Sequence, residues 1–353
     1  MKAVRNLTLL ATAAGLILAA MIGSQFTSAQ TQPTKPAAPT PTPPIEEQEG
    51  VIKINTEAVN VLLTAQDKNR KLLLTLKPTD LQIFENGQAQ EISSFSRQVD
   101  LPLSLAILID TSMSQERTLP EEKMAAMSFL ESVVRPEKDE VSVISFTGEA
   151  TLEHGMTSNM SRLRRAIQDV RLSPPMGYIG GGVVGTPGIN PNSTSGSTAV
   201  WDAIWVTSEE ILGPAPEKTR RAIILLSDGV NTYGKKKLNE AVEAAQKAEA
   251  VIYCIGIGDN YYNGVDHGSL NKVAERTGGR AFFPRDEDDL RKAFQQIQEE
   301  MRSQYMVSYE PTNPALDGSF RTIEIKLINP ELQKQKIQLT HRKGYFAKTE
   351  KKK

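Results

Sequence analysis

Asp110, Ser112 and Ser114 stand at alternating positions in Asp110-Thr111-Ser112-Met113-Ser114, directly after the apolar run 103–109. One carboxylate and two hydroxyls on a loop leaving a buried strand can converge on one hard cation. Oxygen-only ligation of this mixed type suits Mg²⁺, Mn²⁺ or Ca²⁺ rather than zinc. Alone the spacing says little, because Ser and Asp are also ordinary turn and N-cap residues. Two later segments carry the same chemistry, Ser197-Thr198-Ala199-Val200-Trp201-Asp202-Ala203 and Leu225-Leu226-Ser227-Asp228-Gly229. Taken singly, Thr198 reads as the cap of a helix starting at Ala199, and Asp228-Gly229 as a plain turn.

The elements around these residues favour a shared site. Between about 101 and 304 the chain alternates apolar runs with helical patterns. The spacing predicts strands over 103–109, 141–146, 222–226, 250–255 and 281–283. Helices are expected near 120–134, 160–171, 199–212, 236–248, 268–276 and 287–303. Near-continuous apolar strands separated by helices imply a doubly wound, mostly parallel sheet covered on both faces. Ligands of such sheets bind beyond the carboxyl ends of the strands. Asp110 directly follows one predicted strand and Asp228 lies two residues past another.

Together the three segments resemble the metal-ion-dependent adhesion site of von Willebrand factor A domains, a Rossmann-like fold, and the resemblance spans roughly 101–300. It implies that Asp110, Ser112, Ser114, Thr198 and Asp228 hold a divalent cation, Mg²⁺ first, with Mn²⁺ or Ca²⁺ as alternatives. By the same resemblance Ser112 and Ser114 bind through their hydroxyls. Thr198 binds directly or through water, and Asp110 and Asp228 act mostly through waters, or with Asp110 bound directly. Met113 departs from the pattern of many secreted bacterial relatives, which carry Gly there. The segment Phe84 to Ile92 and the terminal Arg342-Lys343-Gly344-Tyr345-Phe346 are similar to the flanks of bacterial VWFA-related secreted proteins.

Few carboxylates and several neutral hydroxyls leave a bound ion electron-poor, with a position open to an Asp or Glu of a partner protein. The expected function is therefore a non-enzymatic, metal-dependent adhesion or scaffold module. The alternative is a hydrolase that uses the same cation, with Asp228, Asp202 or His267 as base. A third reading is a cation that only stabilises the fold. Catalysis has little else to draw on: the histidines (His154, His267, His341) are scattered, and Cys254 sits inside a predicted strand. Tyr178, Tyr261 and Tyr262, aromatics on loops, are candidates for a partner-contact rim. The Gly-rich segment 176–197 lacks the Lys and the preceding strand of a phosphate loop.

The remaining sequence frames this region. Lys2 and Arg5 precede an apolar stretch ending at Thr27-Ser28-Ala29, which reads as a signal peptide (1–29) cleaved after Ala29. Export to a bacterial periplasm, cell surface or medium follows, with no integral membrane span left after cleavage. Residues 30–50 form a Pro-rich linker. Residues 51–100 and 305–347 are β-rich, and neither has enough strands for an independent sheet. They are expected to pair as one small discontinuous β-sandwich into which the α/β domain (101–304) is inserted, followed by a basic tail at 348–353. The net charge of −1 gives no reason to expect nucleic acid. A single cysteine excludes a disulfide framework, so stability must come from apolar cores.

Overall fold

The structure is a computed structural model that describes residues 58–97, 101–173, 178–179, 182–183, 197–216, 219–258 and 264–349. The expected signal peptide and Pro-rich linker lie outside the described residues. All described residues belong to one unit, Ile54–Lys353. No helix among them is long and apolar enough to cross a membrane.

The strands are, in chain order, β1 (Val59–Gln66), β2 (Leu81–Glu85), β3 (Gln88–Gln90), β4 (Ile92–Arg97), β5 (Leu103–Asp110), β6 (Glu140–Phe146), β7 (Ala150–Thr157), β8 (Tyr178–Ile179) and β9 (Gly182–Val183). They continue as β10 (Arg220–Ser227), β11 (Ala250–Gly256), β12 (Ala281–Phe282), β13 (Tyr305–Tyr309), β14 (Phe320–Leu327), β15 (Gln338–His341) and β16 (Gly344–Phe346). The helices are α1 (Leu119–Val133), α2 (Met160–Asp169), α3 (Val200–Val206), α4 (Leu238–Lys247), α5 (His267–Thr277), α6 (Glu287–Arg302) and the short α7 (Pro330–Lys334).

The central sheet runs β12-β11-β10-β5-β6-β7, parallel except where β7 pairs antiparallel with β6. Every residue of β5 and β10 is buried, as expected of strands covered on both faces. Alternation sorts their side chains. Leu105, Ile107 and Ile109 join Phe129 and Leu130 of α1, Leu163 of α2 and Phe294 of α6 in one core. Ala106 and Leu108 join Val200 of α3, Val242 of α4 and Leu270 of α5 in another. The sheet is thus doubly wound.

Two antiparallel four-stranded sheets, β15-β1-β13-β4 and β16-β14-β2-β3, combine strands from both ends of the chain. Their facing residues, among them Val61, Leu63, Ile83, Val307, Tyr309 and Ile325, share a third core. The β2–β3 hairpin turns at Asn86-Gly87, both at positive φ, as a two-residue Asn-Gly turn requires.

Three elements differ from the sequence expectation. The helix expected over 199–212 changes pitch at Thr207–Leu212, where the turn widens to π form and the Gly213 N–H donates to the Ser208 carbonyl. Inside that turn the Ser208 hydroxyl donates back to the Ile204 carbonyl at 2.8 Å, a bond that competes with regular helix. Strand β7 carries no apolar alternation because it is a half-exposed edge. Helix α7 starts at Pro330 with Asn329 capping the Glu331 N–H, a local signal only five residues long.

Candidate metal centre

Asp110 and Asp228 are brought together by strand register. β5 and β10 are adjacent and parallel, with Ile109 opposite Leu226, so both chains leave the sheet at the same edge. Ser227 Oγ donates to Asp110 Oδ2 at 2.6 Å, and the Ser112 N–H donates to Oδ1 at 2.9 Å. The second bond is an Asx-type turn that folds the D-x-S-x-S loop back over its own carboxylate. The Ser112 and Ser114 hydroxyls then meet at 2.9 Å. Asp228 Oδ1 accepts the Val230 N–H at 2.9 Å.

The loop after β10 also fixes Thr198. Thr198 donates its N–H to Thr232 Oγ1 at 2.8 Å, and its carbonyl accepts from the Thr232 and Tyr233 N–H groups. On the other side Thr147, just beyond β6, donates its hydroxyl to the Ser197 carbonyl at 2.6 Å and accepts the Ala199 N–H at 2.7 Å. Thr198 is therefore a buried residue held between the loops that follow β6 and β10. Two glycines permit the close approach. A Cβ on Gly229, at φ +77°, would lie 2.7 Å from the Leu270 side chain, and one on Gly258 would lie 2.7 Å from the Asp228 Cβ.

The electrostatics are those of carboxylates short of positive charge. Burial, and then the neighbouring Asp228, push the Asp110 carboxyl up to about 7. Burial also raises Asp228, with the Ser114 hydroxyl opposing. On α1, fully buried Glu122 is pushed up to about 8 by burial. Its oxygens lack a partner of good hydrogen-bond geometry, and the Thr118 hydroxyl holds the shift back. Mutual repulsion of two buried carboxylates, next to paired hydroxyls, fits a hard divalent cation. Among the described residues no three His, Cys, Asp or Glu side chains cluster as metal ligands, so an ion here would depend on hydroxyls for much of its shell.

Several contributors were not singled out from the sequence. Gln115, fully buried, donates from Nε2 to the Ile257 carbonyl at 3.1 Å and to Ser114 Oγ at 3.4 Å. Its Oε1 accepts the Thr118 hydroxyl at 3.0 Å. Ser227, Thr232 and Asn231 lock the loops, the last by accepting the Trp201 N–H at 3.2 Å. The bonds from Gln115 to Ile257, from Ser227 to Asp110, and from Thr232 and Asn231 to the 198–201 segment join stretches far apart in sequence, so no local pattern announces them.

The other candidates are placed as follows. Asp202 caps the Lys235 and Lys236 N–H groups, and the His267 ring stacks on Phe283 at 3.9 Å. Cys254 is buried in β11, where burial raises its thiol. Tyr178 pairs with Val183 in a two-stranded ribbon, its side chain outside what is described. Tyr261 and Tyr262 lie outside the described residues.

Residues 189–297 match the family model of the von Willebrand factor type A domain, a span that contains Thr198 and Asp228 and stops short of the Asp110 motif. No curated protein matches the chain. Solved structures similar to it include proximal thread matrix protein 1 from the mussel byssus, at 21% identity and TM-score 0.44 over 61% of this chain and 49% of that one. The chain thus spans about half the length of that protein, which has also been solved with zinc in its MIDAS motif. A von Willebrand factor type A protein from Catenulispora acidiphila is 13% identical, with TM-score 0.45 over 84% of this chain and 75% of that one. BatB from Bacteroides thetaiotaomicron is 19% identical, with TM-score 0.43 over 57% and 100%. Residues 189–297, within the doubly wound domain, thus match a von Willebrand factor type A domain.

Proposed function

We propose that the chain is an exported, divalent-cation-dependent protein-binding module. Asp110, Ser112, Ser114, Thr198 and Asp228 would hold the ion, Mg²⁺ first among candidates. The observation that supports this reading is the meeting of Asp110, Ser112 and Ser114 with Ser227 where β5 and β10 leave the sheet, with Asp228 near enough to raise the Asp110 carboxyl and to take a hydrogen bond from Ser114. When bound, the cation supplies a positive centre that an acidic side chain of a partner protein can complete.

The chain's own residues do the rest. Ser227 and the Ser112 N–H fix the Asp110 carboxylate, so its charge faces the loop without a rotamer search. Gln115 ties Ser114 to the loop after β11. The Thr232 clamp holds Thr198 at the rim. With two carboxylates in the set, an acidic ligand is not repelled as it would be by a carboxylate-rich cage. The hydrolase reading gains nothing from its remaining base candidates: Asp202 is engaged by two backbone N–H groups and His267 is stacked.

The test is capture of partners on the immobilised full chain, in Mg²⁺ and in chelator. The reading expects a protein retained in Mg²⁺, released by chelator, and absent with Asp110→Asn. Retention that ignores both the metal and the substitution would sink it.

A further inference from the structure

At the opposite edge of the central sheet, where β10 and β11 begin, lies a cavity of about 290 Å³ between the sheet and the sandwich. Leu62 of β1, Met306 of β13 and Val251 of β11 line it, as do Arg220, Gln246, Glu249 and Arg342. The volume is near the lower end for small-molecule sites and accommodates about ten water-sized groups. The junction beside it is close-packed. A Cβ on Gly278 would lie 2.6 Å from the Arg342 backbone nitrogen, so the cavity is not a product of two halves standing apart.

Its polar wall sets two guanidinium groups, Arg220 and Arg342, against one carboxylate, Glu249. Arg220 is 8% exposed and donates to the Met301 carbonyl at the end of α6. Among the described residues no carboxylate pairs with it. The nearest acidic influence, Asp139, is already gripped by Arg135 through Nε and Nη2. Arg342, 9% exposed, donates to the Asn60 carbonyl and pairs with Glu249 at 3.3 Å. That half-exposed carboxylate also faces Arg221 at 3.9 Å, so one acid serves two guanidinium groups. The Nε groups of Arg220 and Arg342 have no acceptor, and neither has Oε1 of Gln246, 3% exposed, a donor. Buried charge and buried polar atoms left in this state are costly unless something compensates them.

We propose that this cavity binds a small amphipathic carboxylate. Its anionic head would be taken by Arg220 and Arg342, its apolar body by Leu62, Val251 and Met306. A hydroxyl or amide next to the head would suit Gln246. Carboxylate recognition by guanidinium is the strong form of hydrogen bond, and the stem of the ligand would replace water against apolar walls. Such a ligand would touch both the sheet and the sandwich, and through Arg220 the end of α6. The proposal is independent of the cation site.

Octanoate is the probe, with 1-octanol as its uncharged control, titrated calorimetrically into the full chain in chelator. Octanoate should bind saturably and roughly tenfold more tightly than octanol. Arg220→Met, which keeps an apolar stem, should erase that ratio. In wild-type protein labelled at its methionine methyls, octanoate should move the Met306 resonance and leave that of Met124, exposed on α1, in place. That second reading does not depend on any variant folding. No saturable binding, equal binding of octanol, or shifts at Met124 without Met306 would each overturn the proposal.

Discussion

Glu85 and Asp110 both end a β-strand as buried carboxylates, and the chain treats them in opposite ways. In the sandwich, Glu85 accepts the Tyr309 hydroxyl at 2.8 Å, the Tyr345 hydroxyl at 2.9 Å and Arg321 Nη1 at 3.4 Å. Arg321 is as deeply buried and also donates to the Asn313 and Ala315 carbonyls. Burial raises both phenols, Tyr345 to about 12, so they remain donors. At the sheet edge, Asp110 has hydrogen bonds and, among the described residues, no cationic side chain against it; its charged neighbour is another carboxylate. A buried charge neutralised from within is architecture. One left short of a counter-charge is where we propose that a cation binds.

The largest effect should come from breaking the neutralised cluster. Arg321→Met strands Glu85 among phenols and should cost about 3–5 kcal/mol in urea unfolding, equally with and without Mg²⁺. A loss under 1 kcal/mol would mean that the two clusters do not differ as described.

The uncompensated cluster should instead respond to pH. Asp110 rises from 3.8 to about 7 and Glu122 from 4.5 to about 8 in the folded chain. The native state then holds more protons than the unfolded one between about pH 4 and pH 8, so stability falls as pH rises through that window. In chelator the decline should appear as urea midpoints that fall steadily between pH 4.5 and 8.5. Mg²⁺ should flatten the part due to Asp110, and Glu122→Gln the rest.

Ligand linkage gives the next effect. At a Mg²⁺ concentration a hundredfold above its dissociation constant, wild type should gain about 2.7 kcal/mol. Asp110→Asn should gain nothing, and in chelator at pH 8 it should be at least as stable as wild type because the repulsion from Asp228 is gone. Differential scanning calorimetry at fixed pH separates the two statements.

The smallest expected effect lies in the sandwich. His341 is buried and its pKa is lowered to about 4, chiefly by burial. Its Nε2 accepts the Ile325 N–H at 3.3 Å and Nδ1 faces the Arg342 carbonyl at 2.7 Å, which suits the neutral Nδ1–H tautomer. Its folded pKa lies below the unfolded 6.5, so its contribution is lost as pH falls from 6.5 towards 4. That loss should show as urea midpoints falling between pH 6.5 and 4, and His341→Asn should remove the slope.

The comparison also explains what was legible in the sequence. β5 and β10 could be read because strands buried on both faces are continuous apolar runs, and Asp110 and Asp228 stand at their ends. Ser112 and Ser114 were legible because their convergence is local, closed by a turn within the loop. Ser227 reaches Asp110 across 117 residues, and Gln115 reaches Ile257 across 142. Such bonds exist only once the parallel register is formed. Glu122 was invisible for a related reason: on α1 an acidic residue near the N-terminus reads as favourable to the helix dipole, and only packing reveals that it is buried. In the sandwich, the pairing of β1 with β13 could be anticipated from two strand sets too small to stand alone, whereas the Glu85–Arg321 cluster could not.

Direct titration of Mn²⁺ into metal-stripped full chain at pH 7.5, followed by electron paramagnetic resonance, tests the central claim most closely. The account predicts one bound ion per chain, lost in Asp110→Asn and in the Ser112→Ala, Ser114→Ala double variant, and retained in Arg321→Lys. Absence of bound Mn²⁺ in wild type, or binding unaffected by those substitutions at Asp110, Ser112 and Ser114, would contradict it.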